Sequence, residues 1–155
     1  MQKYETILTS AHSLLGRKMY TKRALFEKLM QRHPDAKETI DRVIRECEEV
    51  DLINDKKYAE AFVESRMLLK PKGKRVLHRE LREKGVPENI IKETLSDISE
   101  EEEEKMARGI AQRKIKLLAH EKDMQKREEK LFRFLASRGF DFSLSRKIAQ
   151  EYAKR

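Results

Sequence analysis

Four histidines and one cysteine are the side chains in this sequence best suited to metal binding or nucleophilic chemistry, and their spacing suits neither. His12, His33, His78 and His120 lie far apart, and none stands at a ligand interval from Cys47. Cys47 sits beside Val43 and Ile44 on an apolar helical face, the setting of a packing residue. Its being alone excludes an intramolecular disulfide and fits a reducing, cytoplasmic setting. The five glycines are scattered at the ends of helical patterns, so no glycine-rich loop cradles a phosphate. Carboxylates are abundant, yet none lies on an apolar background that would tune it for acid–base work. We therefore expect no enzyme activity, no metal and no cofactor.

Positive charge is the better signal. Residues 70–84 carry seven basic and two acidic side chains. At 100° per residue, Arg75, Arg79 and Arg82 form one stripe of a helix, while Leu77 and Leu81 point to the opposite side. Lys70, Lys72 and Lys74 occupy the preceding break and first turn. Such a stripe can follow a phosphate backbone, each contact releasing a counterion. The plainer reading is a solvated helix face with local pairing to Glu80 and Glu83. A second patch comprises Arg113, Lys114 and Lys116 on one helix, with Lys126, Arg127, Lys130, Arg133 and Arg138 around the next. Tyr20, Phe132, Phe140 and Phe142 are the only aromatic residues not plainly inward, too few for base stacking along a single strand.

Helices must position these residues. Tyr4, Ile7, Leu8, Ala11, Leu14 and Leu15 recur three or four apart. Thr21 caps a second helix carrying Leu25 and Leu29, with Ala24 where a capping-box glutamate would stand. Pro34 breaks it, and Ile40, Val43, Ile44 and Cys47 line a third. Next comes a helix with Tyr58, Ala61, Phe62, Ser65 and Leu69 on one face. The basic helix runs from about Lys74 to Lys84 and stops at Gly85, and one carrying Ile90, Ile91, Thr94 and Leu95 follows. Ser99 then caps a helix opening on Glu100 to Glu104, a run that suits the helix macrodipole. Met106, Ile110, Leu117 and Leu118 supply its apolar face. Polar residues 120–130 lead to a helix of Leu131, Phe134 and Leu135, which stops at Gly139, and Leu144, Ile148 and Tyr152 mark the last. No strand alternation competes anywhere.

The pattern repeats. Leu25-x-x-x-Leu29, Leu77-x-x-x-Leu81 and Leu131-x-x-x-Leu135 mark the middle helix of three successive units, and their second leucines stand 52 and 54 residues apart. The expected fold is all-α: three tandem three-helix repeats, 1–51, 52–98 and 99–155, stacked into an elongated, curved body. Charged residues make up 41% of the chain, with a net charge of +8, which favours a polyanionic partner. All of that excess falls after residue 55. No apolar run is long enough to span a membrane.

Three ordered motifs resemble the RecX family of regulators of the RecA recombinase. Thr21-Lys22-Arg23-Ala24-Leu25-Phe26-Glu27-Lys28-Leu29 is similar to its first signature. The longest similarity runs from Leu52-Ile53-Asn54-Asp55 through Tyr58-Ala59-Glu60-Ala61-Phe62, then Gly73, to Glu80-Leu81-Arg82-Glu83-Lys84-Gly85-Val86. Arg133-Phe134-Leu135-Ala136-Ser137-Arg138-Gly139-Phe140 resembles the C-terminal one. Three positions depart from the pattern: Ala24 replaces a usual glutamate, Asp51 a frequent glycine, and Val76 a commonly basic residue. The resemblance implies tandem three-helix repeats that bind along the groove of a RecA–DNA filament. It further implies suppression of ATP hydrolysis, strand exchange and co-protease action, as in DNA repair, recombination and the SOS response, with some intrinsic DNA affinity.

The expected partners are accordingly a RecA filament and single- or double-stranded DNA. Contacts are assigned to Lys70, Lys72, Lys74, Arg75, Arg79, Arg82, Arg113, Lys114, Lys130 and Arg133. A helix-turn-helix transcription factor is the alternative, since a short helix, a break and a basic helix recur. Sequence readers usually dimerise around one recognition helix, whereas this chain offers three similar helices and no dimer seam, so a monomer is expected.

Overall fold

A computed structural model describes residues 1–155 as nine α-helices and no strands: α1 (Gln2–Leu15), α2 (Lys22–Arg32), α3 (Lys37–Glu49), α4 (Asp55–Leu69), α5 (Lys74–Glu83), α6 (Glu88–Ser96), α7 (Glu100–Leu117), α8 (Met124–Ser137) and α9 (Phe142–Ala153). No helix is long and apolar enough to cross a membrane. The chain resolves into two compact units, one of Met1–Phe62 with Leu81–Ile91, the other of Val63–Glu80 with Lys92–Arg155. The division passes through α4, α5 and α6.

In the first unit α1, α2 and α3 pack on one another. Ile7, Ala11, Leu14, Leu25, Leu29, Ile40, Val43 and Cys47 form the buried centre. The α2 start works as the sequence predicts: Thr21 Oγ1 accepts from the Ala24 amide at 3.1 Å. The same hydroxyl donates to the Lys84 carbonyl at 2.6 Å, and Thr21 is buried. Thr21→Ala should therefore cost about 1–2 kcal/mol, from a lost cap and a carbonyl left unpaired. Urea unfolding would measure it, and Thr21→Ser should restore most of the loss. Asp51 ends α3 with φ 59°, and the Leu52 amide closes on the Cys47 carbonyl at 2.8 Å. An aspartate tolerates this left-handed position better than most residues, and hydrogen bonds from Lys57 and Asn54 hold its carboxyl below its ordinary pKa.

In the second unit α7, α8 and α9 pack around Ala107, Ile110, Ala111, Leu131, Leu135, Phe140 and Ile148. Ser99 and Glu102 form a full capping box at the α7 N-terminus, which agrees with the macrodipole reading of the glutamate run. Asp123 and Asp141 cap α8 and α9. Arg108 bridges Glu104 and Glu151; its hydrogen bonds to Glu151 and then Glu104 raise its pKa further.

Gly85 (φ 91°) and Gly139 (φ 93°) end α5 and α8 in the left-handed region. At each, the next residue's amide returns to a carbonyl five residues back, Val86 to Leu81 at 3.1 Å and Phe140 to Leu135 at 3.3 Å. These are Schellman closures, with Val86 and Phe140 buried as the accompanying apolar residues. Gly73 meets Gly139 backbone to backbone. The Gly73 amide donates to the Arg138 carbonyl at 2.8 Å, and the Arg75 amide to the Gly139 carbonyl at 3.3 Å.

Four expectations need correction. On α4, Ala59 and Val63 are buried, whereas Ala61, Ser65 and Leu69 are exposed, because the inward face also takes Arg66, which meets Glu80 there. Leu117 of α7 is 69% exposed. Residues 124–130 belong to α8 rather than to a connection, because Asp123 nucleates the helix early. Phe140 is fully buried, drawn inward by the Gly139 turn.

Candidate nucleic-acid and partner interface

Helix α5 separates its two sides sharply. Val76, Leu77 and Leu81 are buried, and Arg75, Arg79 and Arg82 are exposed. Val76 faces Gly139 closely enough that a Cβ there would lie 2.6 Å from its Cγ2. Val76 is buried against that turn, so the departure from the family pattern puts a packing residue at this position. Arg75 is only partly available, since its guanidinium donates to the Ala136 carbonyl near the end of α8 and lies 4.6 Å from the centre of the Phe142 ring. It supports the fold while remaining on the surface.

Lys72 is committed inward. With Arg66 it brackets Glu80, at 2.5 Å from Lys72 Nζ and 2.9 Å from Arg66 Nε. Burial pushes the Glu80 carboxyl up, but hydrogen bonds from Lys72 and Arg66 outweigh it and hold the pKa below the ordinary glutamate value. Lys74 approaches Glu103 at 3.9 Å. Lys130 pairs with Glu121 at 2.9 Å and Arg133 with Glu129 at 3.2 Å. The Arg133–Glu129 pair is exposed on both sides and is worth little, whereas Glu103 and Glu121 are more shielded in their pairs.

Two basic grooves lie within the second unit. Lys74, Arg75, His78 and Lys92, with Leu95 and Ser96, surround one of about 480 Å³. Another, of about 580 Å³, brings together Lys70, Arg113, Lys114 and Arg138 around Phe134, with Leu69 and Leu117 on its walls. Phe134 is half-buried beneath two cations, Lys114 Nζ at 4.7 Å and Arg138 Cζ at 5.0 Å from its ring centre. Of the ten predicted contact residues, the structure thus gathers Lys70 with Arg113 and Lys114, and Lys74 with Arg75. Arg79 and Arg82 stand on the open side of α5, and Lys72, Lys130 and Arg133 are tied to carboxylates. Lys92 belongs to a groove although nothing in its local pattern singles it out. No cluster of His, Cys, Asp or Glu is arranged to hold a metal.

The family models for the second and third three-helix domains of RecX match residues 54–95 and 100–148. The chain is 38% identical over 128 residues to Regulatory protein RecX of Chlorobium phaeobacteroides (strain BS1), covering 83% of this chain and 81% of that one. It is 36% identical over 131 residues to Regulatory protein RecX of Clostridium perfringens (strain 13), covering 84% of this chain and spanning 60% of the relative's length. The crystal structure of RecX from Lactobacillus salivarius superposes with a TM-score of 0.90 at 23% identity, over 99% of both chains. A second RecX crystal structure gives 0.84 at 22% identity, over 94% of this chain and 70% of that one; both establish the fold. With two tandem domain models matched in order and a relative well above 30% identity matched over most of its length, the chain belongs to the RecX family.

Proposed function

We propose that this chain is a non-enzymatic regulator of RecA, acting as a cytoplasmic monomer built of repeats 1–51, 52–98 and 99–155. It binds in the groove of the RecA–DNA filament and inhibits ATP hydrolysis, strand exchange and co-protease action, with DNA affinity of its own. The observation that carries this reading is the two-sided α5 of a RecX-family chain, its apolar side buried and its arginine side exposed. Arg79 and Arg82, with Lys70, Lys74, Arg75, Arg113 and Lys114, supply the cationic contacts. Lys130 and Arg133 join them where a phosphate displaces their present carboxylates, whereas Lys72 stays with Glu80 and supports the surface from within.

Adding the protein to RecA filaments on single-stranded DNA should slow ATP hydrolysis and shorten the filaments. Arg79→Glu with Arg82→Glu should weaken binding at least about tenfold and lower the salt slope by about two. The thermal midpoint should shift by no more than a few degrees, because both side chains are exposed. Unaltered ATPase and filament length at low salt would exclude the proposal.

A further inference from the structure

The groove around Phe134 differs from the open face of α5 in ways that matter for its ligand. Its rim carries Lys70, Arg113, Lys114 and Arg138, and none of the four side chains forms an ion pair within the chain. Its walls carry Leu69, 77% exposed, and Leu117, 69% exposed. Two exposed leucines lining the same recess, rimmed by charge, make an apolar patch of the kind that marks a docking site. A volume of about 580 Å³ lies in the range of ligand-sized clefts and admits one or two bulky side chains. A nucleotide strand would satisfy the rim and leave the leucines unmet. Base stacking is also obstructed, because Lys114 and Arg138 already lie over the Phe134 ring. A second copy of the chain would bring four further cations against these four, so self-association through this face is opposed by charge.

We infer that this groove docks an acidic protein segment with an aliphatic anchor: leucine-like side chains enter between Leu69 and Leu117, and flanking carboxylates meet Lys70, Arg113, Lys114 and Arg138. The inference rests on the regulatory proposal in assigning part of that interface to the protein partner, while its chemistry stands on the groove alone. Recognition combines burial of the anchor with charge-assisted contacts at the rim. A carboxylate-bearing ligand also selects against isolated hydrophobic peptides, which the rim would leave unpaired.

Fluorescence anisotropy of the full chain separates the possibilities, with a labelled peptide of glutamates and leucines, its leucine-to-serine counterpart, and oligo(dT) as probes. The leucine peptide should bind at least about tenfold more tightly than the serine peptide. Leu117→Ser, at an exposed position, removes the apolar wall without adding charge, so it should weaken the leucine peptide about tenfold and leave oligo(dT) unchanged. Arg113→Glu with Lys114→Glu should also weaken the peptide about tenfold. Equal binding of the two peptides, or no binding of either, overturns the inference even where oligo(dT) binding holds. Loss of oligo(dT) affinity in Leu117→Ser equal to that of the peptide overturns it in favour of nucleic acid. A wild-type dimer that Leu117→Ser dissociates overturns it in favour of a second copy. Peptide binding without any oligo(dT) or filament binding would instead support the groove's assignment and count against the regulatory proposal.

Discussion

Replacing Gly73 or Gly139 with alanine should each lower stability by about 3 kcal/mol, read by urea or thermal unfolding. At Gly73 a Cβ would lie 2.2 Å from the Gly139 carbonyl carbon, 2.3 Å from its oxygen and 2.4 Å from the Phe140 nitrogen. These are backbone atoms fixed by the turn that ends α8, so they have no rotamer into which to retreat. At Gly139 two costs combine: the left-handed backbone, and a Cβ within 2.6 Å of both the Val76 nitrogen and Cγ2. Gly109 supplies the control. It lies inside α7, and a Cβ added there would meet nothing within 4 Å, so Gly109→Ala should stabilise by about 0.5–1 kcal/mol. A loss below about 1 kcal/mol at both Gly73 and Gly139 would mean that the junction yields and that the close approach does not constrain the fold. Because Lys70 and Pro71 lie only three and two residues before Gly73, either alanine should also loosen the groove they line.

Glu80→Gln should cost about 2 kcal/mol at neutral pH. The side chain is 16% exposed and stands between Arg66 and Lys72, so removing its charge leaves two partly buried cations without a counterion. Arg66 retains contact with water, which keeps the loss below that of a fully enclosed pair. The folded carboxyl is held below its ordinary pKa, so its contribution is complete above the usual glutamate range near ~4.3. It is lost as pH falls through the folded value. Unfolding measured from neutral to acid pH should therefore show wild type and variant converging below that range. A difference that stays constant into acid would show that the carboxylate's charge contributes nothing. The same geometry explains why residues 70–84, so basic in composition, are not uniformly a binding surface: Lys72 is a structural counterion and Arg75 supports the end of α8.

The fold is legible in the sequence where local chemistry and long-range packing agree. Gly85 and Gly139 announce helix ends because each is followed by an apolar residue, Val86 or Phe140, that the turn carries into the core. Helix α4 misleads because two stripes compete along it. Tyr58, Phe62 and Leu69 look like a seam, yet the truly inward Ala59 and Val63 share their face with Arg66, whose charge disguises it. Leu117 suits an apolar pattern equally well and lies on the surface. The grooves are less legible still. Lys70 is far in sequence from Arg113 and Arg138; the Gly73–Gly139 contact, invisible to periodicity, brings its segment to the end of α8, and packing of α7 on α8 brings Arg113. Phe134 has the helical spacing of a core residue and packs against the core of its unit, while two cations also lie over its ring.

The burial of Cys47 has a practical side. It is the only cysteine in the chain and is 1% exposed; burial, and then the neighbouring Glu46, push its thiol pKa up. At neutral pH the native sulfur is therefore shielded from electrophiles by both access and protonation. Arg82→Cys would create the one thiol open to a maleimide fluorophore, so a reporter can be set on the exposed side of α5 with the native cysteine left in place.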